Sequence, residues 1–310
     1  MENYNVIAVV VTYNRKKLLC ECMEAINNQT VPVRKIILID NNSTDNTREE
    51  LKKRGILDNT KVVYNKLNKN IGGAGGFFVG IKEAMENEAD FLWIMDDDTI
   101  PYSNCLEELL KGYGKGKISY LASCVKGIDE EPMNVPALDT SVTNNGYSDW
   151  YFGLKNNKVK IRTATFVSLL ISTEAIKAVG LPCKDFFIWG DDTEYTTRLT
   201  TKYGPAYLVG KSWVQHKRKN AKALSINGES SSRIGNYYYY YRNNMIVTGI
   251  YVGRKALAIR FLRNALQSVK LLKTKYGLKK ANIVWRGSIA GWKQVGKFSK
   301  YIDNERTRYE

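Results

Sequence analysis

The chain has 310 residues, is 44% hydrophobic, and carries 47 Lys and Arg against 31 Asp and Glu, a formal charge of +16. Such a chain is expected to fold, as one large domain with an appendage or as two domains, and its charge predicts attraction to phosphate-rich partners: nucleotides, nucleic acids or anionic lipid surfaces. A net +12 of that charge falls between Gly253 and Glu310, leaving +4 for residues 1–252.

MENYNVIAVVV opens the chain without a basic leader, and no stretch elsewhere reaches the ~18 apolar residues that cross a bilayer. Neither secretion by a leader nor a membrane span is expected. VIAVVV, residues 6–11, is β-branched and unbroken, as in a strand buried on both faces of a parallel sheet. LLCECMEAINNQ follows with helical spacing, and KIILID, 35–40, repeats the strand pattern. VVY at 62–64 and FLWIM at 91–95 continue the alternation, with a helix expected from about Ala74 to Glu88 between them. Strands alternating with helices predict an α/β fold, a mostly parallel open sheet with right-handed crossovers. In such sheets ligands bind beyond the C-terminal ends of the strands, where TYNR, DNNS, NIGGAGG and DDD all fall. A dinucleotide site would need G-x-G-x-x-G directly after the first strand, and TYNR is not that.

Beyond Lys115 the pattern loosens. TFVSLLIS, 165–172, reads as a strand, TEAIKAVG as a short helix ending at Gly180, and FFIWGDDTEYTTRLTTKYG as an apolar lead into a helix stopped at Gly204. Residues 1 to about 250 read as one domain. From Arg254 the texture changes: Ala258, Leu262, Ala265, Leu266, Val269 and Leu272 form an apolar helical stripe among Lys and Arg. The five cysteines, Cys20, Cys22, Cys105, Cys124 and Cys183, are odd in number and lack a C-x-x-C pair, which argues against a disulfide framework or zinc site and fits a reducing compartment.

Three adjacent carboxylates, Asp96, Asp97 and Asp98, repel one another unless a positive group sits among them. Hard oxygen ligands at the mouth of a buried strand suit Mg2+ or Mn2+. In an extended segment Asp96 and Asp98 share a face while Asp97 points elsewhere; the plainer alternative is a solvated acidic turn with Asp98 capping a helix. His216, the single histidine, ends an apolar segment beside Trp213 and Lys217, Arg218 and Lys219, where a metal ligand and basic residues could flank a diphosphate. Asp191, Asp192 and Glu194 stand at the start of a helix, either as ordinary capping residues or with one carboxylate as a general base. Phe186, Phe187, Ile188 and Trp189 before them would form a wall for a sugar. NIGGAGGF places four glycines before a helix, which permits close backbone approach to a ligand. NYYYYYRNN, 236–244, can pack a helix on the sheet, with Arg242 and Asn243 as ligand contacts.

Taken together, VVVTYNR, IDNNSTDNT, NIGGAGGF, WIMDDD, WGDDTEY and the His of WVQHK resemble family 2 inverting glycosyltransferases of the GT-A fold, over residues 6 to about 245. The glycine run and acidic triplet look most like the galactofuranosyltransferases. The resemblance implies a Rossmann-like GT-A sheet with helices on both faces (1–250), followed by a basic helical extension (251–310). It implies that Thr12, Tyr13, Arg15 and Asp40 hold the nucleotide, with Gly73, Asp96 and Asp97 beside them. Asp96, Asp98 and His216 would hold Mn2+ or Mg2+, and Asp192 would be the base. Trp189, Asp191, Glu194 and Arg242 would contact substrate. The implied donor is UDP-galactofuranose, with dTDP-rhamnose and a rhamnosyltransferase as the alternative.

A basic amphipathic extension without a span reads as an interfacial element or as a helical appendage that packs on the catalytic domain or makes a homo-oligomer. With the first reading, the acceptor is a lipid-linked glycan and the enzyme a cytoplasmic protein on the inner face of the bacterial membrane. Two other classes compete. A nucleic-acid-binding module would explain charge and tyrosines, but its phosphate backbone would be repelled by both acidic clusters, so no nucleic-acid partner is expected. A nucleotidyltransferase would carry a basic glycine-rich loop where this chain has TYNR.

Overall fold

The computed structural model describes residues 4–114, 116–218, 224–229 and 232–306; Lys219 lies outside them. The first half alternates as expected: β1 (Val6–Thr12), α1 (Lys16–Asn27), β2 (Lys35–Asp40), α2 (Thr47–Lys53), β3 (Val62–Lys66), α3 (Gly72–Met85) and β4 (Phe91–Asp96). Next come β5 (Thr99–Pro101), α4 (Cys105–Tyr113), β6 (Tyr120–Lys126), β7 (Ala137–Leu138), β8 (Lys158–Thr163), β9 (Leu169–Ser172) and α5 (Thr173–Val179). The chain continues through α6 (Asp191–Lys202) and β10 (Ala206–His216) to three helices, α7 (Tyr237–Tyr251), α8 (Arg254–Leu271) and α9 (Gly277–Arg306).

One open sheet runs β3-β2-β1-β4-β9-β6-β10-β8-β7, with β5 pairing β10. The strands β3, β2, β1 and β4 are all parallel. From β9 onward the sheet is mixed: β9 is antiparallel to both β4 and β6, β10 runs parallel to β6, and β8 antiparallel to β10. The expected strand at 165–172 is therefore only its second half, Leu169–Ser172. Ser168 instead turns its hydroxyl to Trp93 Nε1 and Ser123.

The unbroken VIAVVV run has the cause its composition predicts. Val6, Ala8 and Val10 enter a core shared with α1 and α4 on one face, while Ile7, Val9 and Val11 enter a second core shared with α3, α5 and α6 on the other. A strand with no solvent face has no polar alternate positions. The glycines of NIGGAGGF lie inside α3 rather than ahead of it. A Cβ at Gly76 or Gly80 would sit 2.5 Å from Val11 or Val9, so these residues let the helix lie close against β1.

The expected boundary near 250 falls between α7 and α8, yet α9 turns back over α7. Phe298 of α9 packs with Ala74, Phe186 and Ile246, so the last helix touches α3 and the loop before α6 directly. Helix α8 is turned inside out. It buries Leu257, Asn264, Ser268 and Leu271 and exposes Leu262, Leu266 and Val269, each more than 60% accessible. No helix among the described residues is long and apolar enough to cross a membrane.

Candidate active site

Parallel register sets the site. Thr12 lies beside Asp40, and Val11 beside Asp96, at the C-terminal edge of the sheet. After Asp96 the chain reverses into β5, whose Thr99 pairs with His216 at the end of β10, and Lys217 N donates to Asp98 O. This short antiparallel pairing carries the lone histidine to the acidic triplet, from 118 residues away.

Ligand atoms of Asp96, Asp98 and His216 lie within 4.8 Å of one another. Two carboxylates and an imidazole gathered at that spacing fit a hard or borderline divalent cation. His216 Nε2 faces Asp98 Oδ1 at 3.0 Å and Nδ1 faces Asn134 Oδ1 at 2.9 Å. With an amide oxygen accepting the Nδ1 proton, Nε2 is the nitrogen left for a cation. Asn134 takes a left-handed backbone, φ 48°, in the turn that follows β6. Sequence reading missed it, because nothing in GIDEEPMN signals a partner 82 positions away.

Arg15 is the protein's own positive group among the aspartates: its Nη1 donates to Asp98 and, at 3.2 Å, to Asp97 Oδ1. Asp97 also accepts from Thr12 Oγ1 (2.7 Å) and Tyr13 N (3.3 Å). It thus ties TYNR to the triplet and shares Arg15 with Asp98. Burial pushes Asp97 up to about 6, against the pull of Arg15. Burial, then Asp98 and Asp97, drive Asp96 well above the usual carboxylate range. Burial opposes ionisation of Asp98 too, but the hydrogen bond with His216 and the nearby Arg15 hold it low. Asp40 is fully buried and spends its oxygens on Ser43 N and Tyr64 Oη, while Tyr13 is exposed. Gly73 faces open space.

The loop leading to the second acidic group sits against the first turn of α3, where Ala74 N donates to Phe187 O at 3.1 Å and Gly72 O accepts from Asn41 Nδ2 of the β2 edge at 2.9 Å. Asp191 and Asp192 begin α6 after a strained loop. Phe187 (φ 65°, ψ −62°) closes a γ-turn, with Ile188 N donating to Phe186 O at 2.8 Å, and Trp189 and Gly190 also have positive φ. Asn243 Nδ2 donates to the carbonyls of Phe186, Ile188 and Trp189, and Arg242 Nη2 to those of Asp185 and Phe186. Gly72, at φ 78°, allows α3 to meet this loop, for a Cβ there would lie 2.1 Å from Phe187 O. Burial raises Asp191 to about 8, with Asp192 the next cause, and burial also raises Asp192. Asp192 Oδ1 accepts from Thr193 N at 2.6 Å.

Two substrate contacts expected from sequence take other partners. Glu194 is 0% exposed; it chelates Arg198 at 2.9 and 3.0 Å and accepts from Tyr251. Its carboxylate is spent in the core, because one turn into α6 the helix faces inward. Arg242 is buried and holds the loop rather than reaching past it. Trp189 keeps a partly buried ring, packed edge-on against Tyr237 at 5.1 Å with Arg233 over it at 5.9 Å.

Residues 7–179 match the model of glycosyl transferase family 2. The chain is 26% identical over 200 residues to galactofuranosyltransferase GlfT1 of Mycolicibacterium smegmatis, a match covering 63% of this chain and 65% of that protein. Among solved structures it resembles GalNAc-T7 with UDP, GalNAc and Mn2+ (TM-score 0.63, 17% identity, 99% of this chain and 58% of that one). It also resembles Staphylococcus aureus TarS 1–349 with UDP-GlcNAc (TM-score 0.61, 14% identity, 98% and 89%). At such identities these two likenesses speak to the fold.

Proposed function

Because the chain belongs to glycosyl transferase family 2, we propose that it is a metal-dependent inverting enzyme that moves galactofuranose from UDP-galactofuranose to a hydroxyl of a lipid-linked glycan. The observation that carries this is the gathering of Asp96, Asp98 and His216 at the C-terminal edge of the sheet, with the loop that leads to Asp191 and Asp192 seated against the first turn of α3. Galactofuranose as the sugar rests on the likeness to GlfT1.

Asp96, Asp98 and His216 would hold Mn2+ or Mg2+, which when bound supplies Lewis-acid stabilisation of charge on the departing diphosphate. Arg15 lies where it can release the aspartates and bind phosphate oxygens instead. Tyr13 and Gly73 frame the nucleotide, while Thr12 and Asp40 are buried and act through their partners Asp97 and Ser43. Asp192 takes the proton of the attacking hydroxyl. Its burial, which raises its affinity for that proton, suits a general base, and Asp191 beside it holds the second proton of the pair. Attack from the face opposite the leaving group inverts the anomeric centre in one displacement, so no protein nucleophile is required.

The inside-out helix α8 favours the interfacial reading of the extension over one in which its stripe packs on the domain. Exposed leucines among the Lys and Arg of a helix that contains no Asp or Glu suit the headgroup boundary of an anionic bilayer, which would place the enzyme at the inner membrane face.

Release of UDP with Mn2+ from UDP-galactofuranose, UDP-galactopyranose, UDP-glucose and dTDP-rhamnose (as dTDP) tests the reading, with EDTA as control. Turnover of UDP-galactofuranose alone, abolished by EDTA, is expected. Preferential turnover of another donor, or turnover that survives EDTA, overturns the donor or the metal.

A further inference from the structure

The tyrosine run, unexplained by the transfer chemistry, lines a second space. Between α7, α8 and residues 224–226 lies a cavity of about 220 Å3. Tyr237, Tyr240, Tyr241 and Asn244 present one face of α7 to it at helical spacing, and Asn264 and Gln267 approach from α8. Arg260 also lines it, and no Asp or Glu does among the described residues.

Its polar atoms are only partly used. Asn264 is 8% exposed; its Nδ2 donates to Ser288 Oγ at 2.9 Å and approaches Met245 Sδ at 3.7 Å. Gln267 Oε1 accepts from Tyr241 Oη at 2.9 Å, which leaves its amide hydrogens. Asn244 spends Nδ2 on Tyr240 O and keeps Oδ1. Polar side chains around a space of this size suit water or a hydroxyl-rich ligand. Donors and acceptors side by side between tyrosine rings, with Tyr237 Oη held by Glu229 Oε2 at 3.2 Å, match the hydroxyls of a sugar, each of which both donates and accepts.

The cavity's tyrosines touch the loop that leads into α6. Trp189, two residues before Asp191, packs its ring on Tyr237 and Tyr240 at 5.1 and 6.5 Å. We propose that this cavity is a carbohydrate subsite that holds a sugar of the acceptor glycan beyond the one that receives the transferred residue, with Trp189 as the shared wall. The proposal rests on the glycosyltransferase reading and adds to it where the acceptor is recognised.

The test is an array of uncharged oligosaccharides probed with the full chain in the presence of UDP and Mn2+, alongside Asn244→Phe, which fills the cavity, and Gln267→Leu, which keeps its shape. UDP affinity, measured by calorimetry on each protein, reports folding and the donor site separately. The wild type is expected to retain a set of glycans, and both variants to lose at least tenfold of that signal at unchanged UDP affinity. Should Asn244→Phe fail to bind UDP, Gln267→Leu decides alone. Equal glycan retention by the variants, or none by a wild type that binds UDP, overturns the subsite. A wild type that does not bind UDP overturns the transferase reading instead.

Discussion

Asp98 accepts from Arg15 on one oxygen and faces His216 Nε2 with the other. Asp98→Ala and His216→Ala should abolish calorimetric Mn2+ binding. Asn134→Leu, which touches no cation, should weaken it by roughly 10- to 100-fold, and Asn134→Asp should restore it; unchanged affinity in Asn134→Leu would show that the imidazole needs no support. Asp192→Asn should lower kcat by about 10²- to 10⁴-fold while UDP affinity holds. Asp191 supplies a pH signature. Its pKa is raised by burial to about 8, so the stability its protonated form confers is complete below the ordinary carboxylate range and is lost as pH rises through about 8. The wild-type Tm should therefore fall more between pH 6 and 9 than that of Asp191→Asn, with parallel curves counting against a proton held there.

The γ-turn before α6 is an element kept in an unfavourable backbone by side chains from another helix. Asn243→Ala removes three hydrogen bonds to carbonyls and should cost about 1–3 kcal/mol in denaturant unfolding, with kcat falling and Mn2+ affinity untouched. Such elements show how far the sequence could be read. VIAVVV, KIILID and FLWIM declared their strands because burial on both faces leaves an unbroken apolar run, and the acidic and TYNR motifs declared the edge at which they meet. The glycines of α3 were legible as close approach, but what they approach, β1 and Phe187 O, depends on tertiary packing. Glu194 and Arg242 read as ligand contacts because local sequence does not say which side of a helix faces the core. Asn134 was invisible for the related reason that its partner arrives by sheet pairing.

At the scale of the molecule, the extension is a surface as well as a scaffold. Replacing Leu262 and Leu266 by Asp should release the protein from phosphatidylglycerol-containing vesicles in a sedimentation assay and leave UDP binding as it was; persistent sedimentation would mean that α8 is not the docking face. Phe298 of α9 meets Phe186 at 5.1 Å, at the root of the loop that carries Trp189 and the α6 aspartates, and Arg242 and Asn243 grip the same loop from α7. The helices that would rest on lipid and the residues that would hold sugar are therefore parts of one mechanical unit. Linkage makes any coupling between them reciprocal: if a bilayer tightens donor binding by some factor, the donor strengthens attachment to the bilayer by the same factor. The enzyme would then linger where its substrates are and leave once they are spent.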